Sequence, residues 1–343
     1  MFVYLSPVIA FALGTLLTWV LVCYRGRWAI LDHPNARSLH ETPRPRSGGV
    51  AILLGLAAGG GSFLLGSPVA GTPLWPAFCV LLVAAVSLVD DIRSLPALVR
   101  LAVHGAAACA VVVAGNLAFY RLNFPFWELV LPSWLALVGS ILYIVWMLNL
   151  YNFMDGIDGL AGGMAVLGFG TFAVLGWLAD APTFATLSLC IATSSAGFVL
   201  FNFPPARIFM GDIGAGTLGF IAALFTLWGA RAGVFPFWVG VLVFSPFVVD
   251  ATWTLVRRAV AGEKPWQAHR IHAYQRVVQA GWSHRRTTLH EYLLMTSCAA
   301  SAILVSMGKS PALGAAVLMG WILIYGVLGA GVSRLVSAAR SAA

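Results

Sequence analysis

The sequence predicts an all-α, polytopic membrane protein with about 11 transmembrane helices. Sixty per cent of its 343 residues are hydrophobic, only 9% are charged, and the mean hydropathy is +0.90. The apolar residues form continuous runs close to the roughly 20 residues that cross a bilayer as a helix. They do not alternate with polar residues, as the strands of a membrane β-barrel do. This composition excludes a soluble globular domain.

The first half of the chain contains five predicted spans. Span 1, about residues 2–24, lacks a basic leader and a small-residue cleavage site, so we expect a retained helix and not a cleaved signal. Polar or Gly- and Pro-containing segments delimit the next spans. The segment 115–132 contains two prolines and predicts a surface loop or a short hairpin. Spans 2 to 5 cover about 50–65, 74–89, 96–114 and 133–148.

Six further spans follow, at about 160–178, 184–200, 214–230, 235–256, 288–307 and 312–328. A carboxylate within a span is costly, so we expect Asp250 in span 9 to contact Arg257, Arg258 or a functional site. We interpret His104, within span 4, as a satisfied polar contact between helices. All five cysteines fall inside apolar runs without a CxxC pair, which predicts buried free thiols.

The distribution of basic residues predicts the orientation of this single membrane domain, residues 1–343. With the N-terminus outside, 17 of the 20 Lys and Arg residues lie on the inner side, which the positive-inside rule favours. Ten of the 12 carboxylates also lie at or near that face. The net charge of +8 therefore follows from membrane topology and does not indicate nucleic-acid binding. The cytoplasmic loops are predicted at about 25–49, 90–96, 149–159, 201–213 and 257–287.

The most informative stretch is N-L-Y-N-F-M-D-G-I-D-G-L, residues 149–160, at the end of span 5. Polar residues recur at every third position, so successive members would be neighbours on a helix. Each of its two carboxylates precedes a glycine, which allows a sharp bend or a close approach to a ligand. A polar loop with helix caps is the alternative interpretation. The four polar residues are Asn149, Asn152, Asp155 and Asp158.

Two further acidic motifs stand at predicted span ends. Asp90 and Asp91 end span 3, and an adjacent carboxylate pair favours a cation site or a shifted pKa, with Arg93 placed to neutralise part of the charge. A solvated span end is the alternative. Asp212 ends F-M-G-D before a Gly-rich helix start, where a carboxylate beside free N–H groups suits Mg²⁺ next to phosphate. The GxGxxG at 214–219 is not a dinucleotide site, because no strand precedes it.

The last large loop is basic and carries H-x-x-H-x-Y-Q. His269 and His272 are three residues apart and would share a helix face, but a zinc site is disfavoured because no third ligand is obvious. Cationic and neutral donors beside carboxylates suit phosphate groups. Binding of anionic lipid heads explains the same residues equally well, as it does for Arg46 and its basic neighbours in the first loop.

These motifs, in this order, resemble those of the polyprenyl-phosphate N-acetylhexosamine-1-phosphate transferases, glycosyltransferase family 4. The segment P-N-A-R-S-x-H…T-P-R-x-x-G-G after span 1 also matches, apart from Ser47, where many relatives have glycine. The resemblance covers about residues 32–276. It is closer to the bacterial branch that initiates O-antigen or enterobacterial common antigen than to the peptidoglycan lipid I synthases, since H-R-I-H replaces their triple histidine.

The resemblance implies a reaction and its partners. The enzyme would transfer N-acetylhexosamine-1-phosphate from a UDP-sugar to undecaprenyl phosphate and release UMP, with Mg²⁺ or alternatively Mn²⁺ as cofactor. It would lie in the bacterial inner membrane, contact membrane lipid, bind no nucleic acid, and initiate a lipopolysaccharide or other surface glycan. UDP-GlcNAc is the default donor, with UDP-GalNAc, UDP-FucNAc and UDP-QuiNAc as alternatives. The oligomeric state stays open, a homodimer included.

The resemblance also implies residue roles. Asp212 and Asn152 would bind the metal, and Asp90 or Asp91 would orient or deprotonate the lipid phosphate. The remaining site residues would bind the nucleotide, the phosphates, the sugar or the water shell of the metal. They are Asn149, Asp155, Asp158, Asn202, His269, His272, Arg276 and Arg46.

Two other functional classes, a transporter and a transferase with a soluble acceptor, predict different sequence features. A transporter would place carboxylates near the bilayer midplane and would show matching broken helices in two halves. Here the carboxylates lie at span ends, and the sequence shows no internal repeat. A transferase with a soluble acceptor would not need eleven spans.

Overall fold

The computed structural model describes residues 2–24, 30–32, 43–66, 75–264 and 269–342, and in this part the chain is almost entirely helical. Four short strands form two antiparallel pairs there. The helices are α1 Phe2–Cys23, α2 Gly48–Gly66, α3 Trp75–Arg93, α4 Ala97–Ala114, α5 Ser133–Phe153, α6 Leu160–Leu178, α7 Pro182–Asn202, α8 Gly211–Arg231, α9 Phe237–Val243, α10 Ser245–Val260, α11 Ala273–Gln279, α12 His284–Gly308 and α13 Pro311–Ala342. The strands are β1 Leu31–Asp32, β2 Arg44–Pro45, β3 Arg121–Asn123 and β4 Glu128–Val130.

The predicted fold class is confirmed. Within the described ranges, ten helices are long and apolar enough to cross a membrane, or eleven if α9 and α10 are counted together. The segment 115–132 forms the predicted hairpin, in which Leu122 pairs with Leu129. The predicted spans were too short at several inner ends. Helix α3 extends through Asp90 and Asp91 to Arg93.

Helix α5 ends before it reaches the last two of the four polar residues spaced three apart at 149–158. It runs through Asn149 and Asn152 to Phe153, whereas Asp155 and Asp158 lie in the turn before α6. The prediction that all four polar residues could share a helical row is therefore wrong. Gly159, with φ of +79°, adopts the left-handed conformation that glycine tolerates best and begins α6.

Span 9 was predicted as one continuous helix, and this is also wrong. Its two parts, α9 and α10, meet at an 84° bend next to Phe244. Pro246 lies in the first turn of α10 and has no N–H to donate to the carbonyl of Leu242 four residues earlier. The proline thus favours a new helix start at this position.

Helices α6, α7 and α8 form the centre of the molecule. Helix α8 is the most buried of them, since 89% of its 18-residue apolar segment is buried inside the protein. Glycine allows the closest packing around it. A Cβ on Gly49 of α2 would lie 2.3 Å from the backbone nitrogen of Gly214 of α8. In contrast, only 6% of the corresponding apolar segment of α13 is buried, as expected of a helix that faces lipid.

The cysteines correct one further prediction. All five are free, but only Cys79, Cys190 and Cys298 are buried, whereas Cys23 and Cys109 are exposed on the outer surface of the helix bundle. A membrane helix presents apolar side chains to lipid, so an apolar run does not distinguish a buried thiol from a lipid-facing one.

Candidate active site

The polar segments meet at one end of the bundle, here called the inner end. It contains the C-terminal ends of α3, α5, α7 and α10 and the N-terminal ends of α6, α8 and α12, whose side chains contact one another as described below. The predicted convergence of distant segments is therefore found in the structure.

Asp91 caps the N-terminus of α8. Its two carboxylate oxygens accept hydrogen bonds from the N–H groups of Asp212 and Ile213, each at 3.0 Å. One oxygen also accepts a bond of 2.5 Å from the Arg46 guanidinium, and the Asp91 side chain is completely buried. A carboxylate at this position satisfies free helix donors and interacts favourably with the helix dipole. Asp91 thus fixes the place of Asp212 and is fully engaged within the protein.

The backbone around Gly211 makes this arrangement compact. Gly211 has φ of +74°, and a Cβ there would lie 2.3 Å from the Arg46 carbonyl oxygen. The loop after β2 pairs with the F-M-G-D segment through three backbone bonds. Phe209 N–H donates to Pro45, Gly48 N–H to Phe209 and Gly49 N–H to Met210, at 2.7 to 3.0 Å. The first loop and F-M-G-D therefore form one unit.

Asp90 belongs to the same cluster but faces the other way. It accepts a bond of 2.6 Å from Leu95 N–H and one of 2.5 Å from Arg100. Arg100 also lies 3.8 Å from an Asp212 oxygen, so it bridges two carboxylates. The predicted counter-charge, Arg93, is exposed and lies outside this cluster, because it ends α3. Sequence reasoning missed Arg100; its position one turn into the helix after the Asp pair was the available signal.

Asn152 and Asp155 have the least engaged oxygen atoms of the site. Neither side chain makes a hydrogen bond within the described ranges, whereas the Asn149 amide donates to the Val145 carbonyl of its own helix at 2.7 Å. Burial, followed by the charges of Asp212 and Asp91, raises the pKa of Asp155 to about 7. The site thus concentrates negative charge that the protein only partly balances.

Asp158 and Asn202 hold the turn between α5 and α6. Asp158 accepts a 2.9 Å bond from Ala206 N–H, and His284 Nδ1 lies 3.4 Å from its other oxygen. Burial alone would raise the pKa of Asp158, but the hydrogen bonds from His284 and Ala206 outweigh it and lower the pKa. Asn202 is 4% exposed; it accepts from Gly159 N–H and donates to the Ile208 carbonyl. Both side chains therefore use their polar atoms mainly to hold the backbone of this turn and of the segment 206–208, and not to face a substrate.

The last loop adds α11 and the two histidines. They do not share a helix face as predicted, because His269 precedes the helix and His272 is its N-cap; their rings are nevertheless 4.8 Å apart. Each Nδ1 is buried and makes no hydrogen bond to the described part of the chain, although that of His272 lies 3.6 Å from the Asp250 carboxylate. Burial and then the neighbouring His272 lower the pKa of His269 to about 4. Arg276 lies in α11 and is half-buried.

Asp250 and Tyr274 attach this loop to the rest of the site. As predicted for this carboxylate, Asp250 contacts the site: it accepts from the N–H groups of Ala273 and Tyr274 and so caps α11. The Tyr274 hydroxyl donates to the Phe153 carbonyl at 2.9 Å. A Cβ on Gly156 would lie 2.1 Å from that hydroxyl oxygen, which explains the glycine after Asp155.

His104 also departs from its prediction. It is 6% exposed, and its Nε2 makes no hydrogen bond within the described ranges, so this nitrogen is not satisfied as predicted. It lies one helical turn after Arg100 on α4, which places it behind the Asp90 cluster.

The donor set fits Mg²⁺ in kind. Carboxylate and amide oxygens are the ligands that this ion takes in proteins. Within the described ranges the side-chain oxygens of Asp155 and Asn152 make no hydrogen bond, and the charge of Asp212 comes second to burial among the causes that raise the pKa of Asp155. Within the described ranges no three His, Cys, Asp or Glu side chains are close enough to hold an ion. Mg²⁺ would therefore take one or two protein ligands, completed by water and substrate phosphates, as is usual for this ion.

Part of the first motif, P-N-A-R-S-x-H, lies outside the described residues. The end of its continuation is described: Arg46 binds Asp91, and its buried Nε makes no hydrogen bond to any described residue.

Comparison with known proteins gives a consistent result. Residues 74–230 match the family model described as glycosyl transferase family 4. The chain is 30% identical over 307 residues to a probable undecaprenyl-phosphate N-acetylglucosaminyl 1-phosphate transferase of Bacillus subtilis, covering 87% of this chain and 84% of that protein. It is 32% identical over 335 residues to a decaprenyl-phosphate N-acetylglucosaminephosphotransferase of Mycobacterium tuberculosis, covering 88% and 81%.

A third relative is the undecaprenyl-phosphate alpha-N-acetylglucosaminyl 1-phosphate transferase of Escherichia coli O157:H7. It is 26% identical over 289 residues, covering 81% of this chain and 76% of that protein.

Proposed function

Because the chain belongs to glycosyl transferase family 4 and is a multi-pass membrane polyprenyl-phosphate N-acetylhexosamine-1-phosphate transferase, we propose that its donor is UDP-GlcNAc and its acceptor undecaprenyl phosphate. The donor proposal is supported by the names of the relatives, all of which specify N-acetylglucosamine. UDP-GalNAc, UDP-FucNAc and UDP-QuiNAc are the alternatives. The product would be the first lipid-linked intermediate of an O-antigen or another surface polysaccharide.

The observation that carries the proposal is the position of the carboxylate cluster. Asp90 and Asp212 lie at the inner ends of helices α3 and α8, and Asp155 lies in the turn after α5, where a lipid phosphate and a soluble nucleotide can both arrive. Two anions must approach each other there, so the site has to supply opposite charge. Arg46 and Arg100 lie within the cluster, and both are bound to its carboxylates.

The reaction is a phosphoryl exchange. An oxygen of the lipid phosphate attacks the β-phosphorus of the UDP-sugar, the bond to the bridging oxygen breaks, and UMP leaves with that oxygen. One pyrophosphate bond is formed and one is lost, so little driving force is needed and catalysis is mainly positioning and charge stabilisation. Bound Mg²⁺ would neutralise phosphate charge. Asp212 and Asn152 would hold it, with Asp155 adjacent.

The geometry favours different roles for the two residues of the Asp pair. Asp90 is beside Arg100 and Asp212, and we assign it to the lipid phosphate, which it would orient or deprotonate. Asp91 has no free oxygen, because helix α8 and Arg46 occupy both. We therefore assign Asp91 to the positioning of Asp212. Asn202 is likewise assigned to the positioning of the turn below the nucleotide.

The remaining residues would face the substrates. Asn149 and Asp155 are assigned to the uridine and to the waters of the metal, whereas Asp158, whose two oxygens lie against Ala206 N–H and His284, is assigned to the positioning of the turn. His269, with its lowered pKa, is neutral at pH 7 and would contact phosphate or sugar as a neutral donor or acceptor. His272 and Arg276 complete this side, and Arg46, whose Nε makes no hydrogen bond within the described ranges, is assigned to the phosphates.

The test uses purified protein, undecaprenyl phosphate, Mg²⁺ and a panel of UDP-N-acetylhexosamines, with release of UMP as the readout. The expected result is UMP release that requires the lipid and the metal and is fastest with UDP-GlcNAc. Faster UMP release with another UDP-sugar would identify that sugar nucleotide as the donor instead of UDP-GlcNAc. No release with any donor, from protein that unfolds cooperatively, would contradict the proposal and favour a transporter.

A further inference from the structure

A polar stripe on α12 contacts the turn between α5 and α6. His284, Thr288 and Tyr292 are spaced four residues apart, so they lie on one face of the helix. This face is turned inward: Thr288 is completely buried, whereas Leu289 and Leu293 on the other side are exposed. Polar groups aimed inward from a membrane helix require partners there.

Each member of the stripe finds its partner at residues 158 and 159. His284 Nδ1 lies 3.4 Å from the Asp158 carboxylate. The Thr288 hydroxyl donates to the Asp158 carbonyl at 2.8 Å, and the Tyr292 hydroxyl donates to the Gly159 carbonyl at 2.6 Å. Two consecutive carbonyls and one carboxylate are thus bound by a single helix face.

The opposing surface is shaped to receive this stripe. A Cβ on Gly163 would lie 2.0 Å from the Tyr292 ring, so only glycine allows the ring to reach the start of α6. The other side of the turn is bound independently, because Asn202 accepts from Gly159 N–H and Ala206 N–H donates to Asp158. The turn is therefore held from both sides, and Asp155 lies in it, three residues before Asp158.

We propose that His284, Thr288 and Tyr292 are positioning residues of the transfer reaction, which orient the 155–159 turn so that Asp155 meets Asp212 and the nucleotide. This inference rests on the proposed function. Misplacement of a reacting group by about 1 Å can reduce a rate roughly 100-fold, so three bonds to one turn are sufficient to affect catalysis.

The test compares conservative variants of purified protein. Thr288→Val and Tyr292→Phe remove one hydroxyl each and keep the shape of the side chain. We expect each to lower kcat about 10-fold and the pair to lower it about 100-fold. The KM for UDP-GlcNAc should change much less, and the Tm should stay within about 4 °C of wild type. His284→Ala should also lower kcat, and His284→Asn, whose amide can donate to Asp158, should restore it.

Two controls separate positioning from general destabilisation. Thr296→Val removes a hydroxyl that bonds to the carbonyl of Tyr292 on the same helix, and Tyr325→Phe removes a hydroxyl bound to Ser245 away from the turn. Both should retain wild-type kcat. A wild-type kcat in the Thr288→Val/Tyr292→Phe double variant would overturn the inference, as would losses that only follow Tm. An inactive wild-type protein would instead contradict the proposed function.

Discussion

At the scale of single residues, the side chains of this site differ in how many of their polar atoms are hydrogen-bonded to other groups of the protein. Asp91 and Asn202 have their polar atoms bound to backbone, whereas Asn152 and Asp155 have no side-chain hydrogen bond within the described ranges. The sequence predicted all four as site residues, since spacing and residue type report position near the site. Spacing cannot report which oxygens face a ligand, because that depends on helices far away in the chain.

The first prediction concerns Asp212. Asp212→Asn should reduce UMP release at least about 1,000-fold, since it removes the charge expected to hold the metal near the transferred phosphate. The backbone N–H that binds Asp91 is retained, so the Tm should not change. UMP release and Tm are both measured on detergent-purified protein. Glu128→Gln, at the opposite end of the bundle, is the control, and activity near wild type in Asp212→Asn would remove this residue from the site.

A second prediction concerns pH. The pKa of Asp155 is about 7 in the folded chain against an ordinary 3.8, so between these values the folded state binds more protons than the unfolded state. Stability should therefore fall as the pH rises through this interval. Without metal, Asp155→Asn should raise the Tm at pH 8 by about 2 to 4 °C, and the gain should shrink towards pH 5.

Thermal unfolding of both proteins across this pH range measures the effect. Mg²⁺ should narrow the difference at pH 8, because it compensates the charge in wild type only. An equal Tm for variant and wild type at every pH would contradict the raised pKa.

At the scale of elements, the decisive arrangement is the contact between the end of α3 and the start of α8. The sequence predicted both helices and both acidic motifs, but not that one motif caps the other. They are 121 residues apart, and the pairing is set by tertiary packing. The first loop closes the arrangement through Arg46, which binds the same carboxylate.

The third prediction tests this cap. Asp91→Ala leaves two helix N–H groups and Arg46 without their partner, and loss of one member of a buried ion pair typically costs about 3 to 5 kcal/mol. We expect a lower Tm together with a large loss of activity. Asp91→Asn keeps an acceptor for the helix and should lose less stability. Equal stability of Asp91→Ala and wild type would show that α8 does not depend on this carboxylate.

The elements that sequence reasoning placed least well are those governed by local backbone chemistry. The end of α5 at Phe153 and the break after α9 were missed, although the signals were present. Gly156 and Gly159 mark the first, and Pro246 marks the second. In a membrane protein, long apolar runs hide such signals, because hydropathy continues through a broken helix.

At the scale of the whole molecule, charge distribution organises the chain. The alternation of basic segments correctly predicted which helix ends meet, and the contacts among Arg46, Asp91, Arg100 and Asp212 lie at the end predicted to be cytoplasmic. The same bias supports the number of spans that the apolar runs predict. It does not give the order in which helices pack, which depends on where glycine allows close approach.

The fourth prediction tests the orientation. In a cysteine-free background, Glu128→Cys and Lys309→Cys should react with a membrane-impermeant maleimide on intact cells, whereas Arg285→Cys should react only after permeabilisation. All three positions are exposed, so lack of reaction reports location and not burial. Labelling of Arg285→Cys on intact cells would reverse the topology.

The bend between α9 and α10 has a consequence for the surrounding lipid. At 1.5 Å per residue, the two helices are about 10 and 24 Å long, and at an 84° bend their combined reach is at most about 27 Å. The hydrocarbon layer is about 30 Å thick, so this element, counted as one span, is shorter than the layer. The bilayer beside it should therefore be locally thinner, with headgroups drawn towards the midplane next to the enzyme. A lipid-borne substrate would meet the protein where its own leaflet is indented.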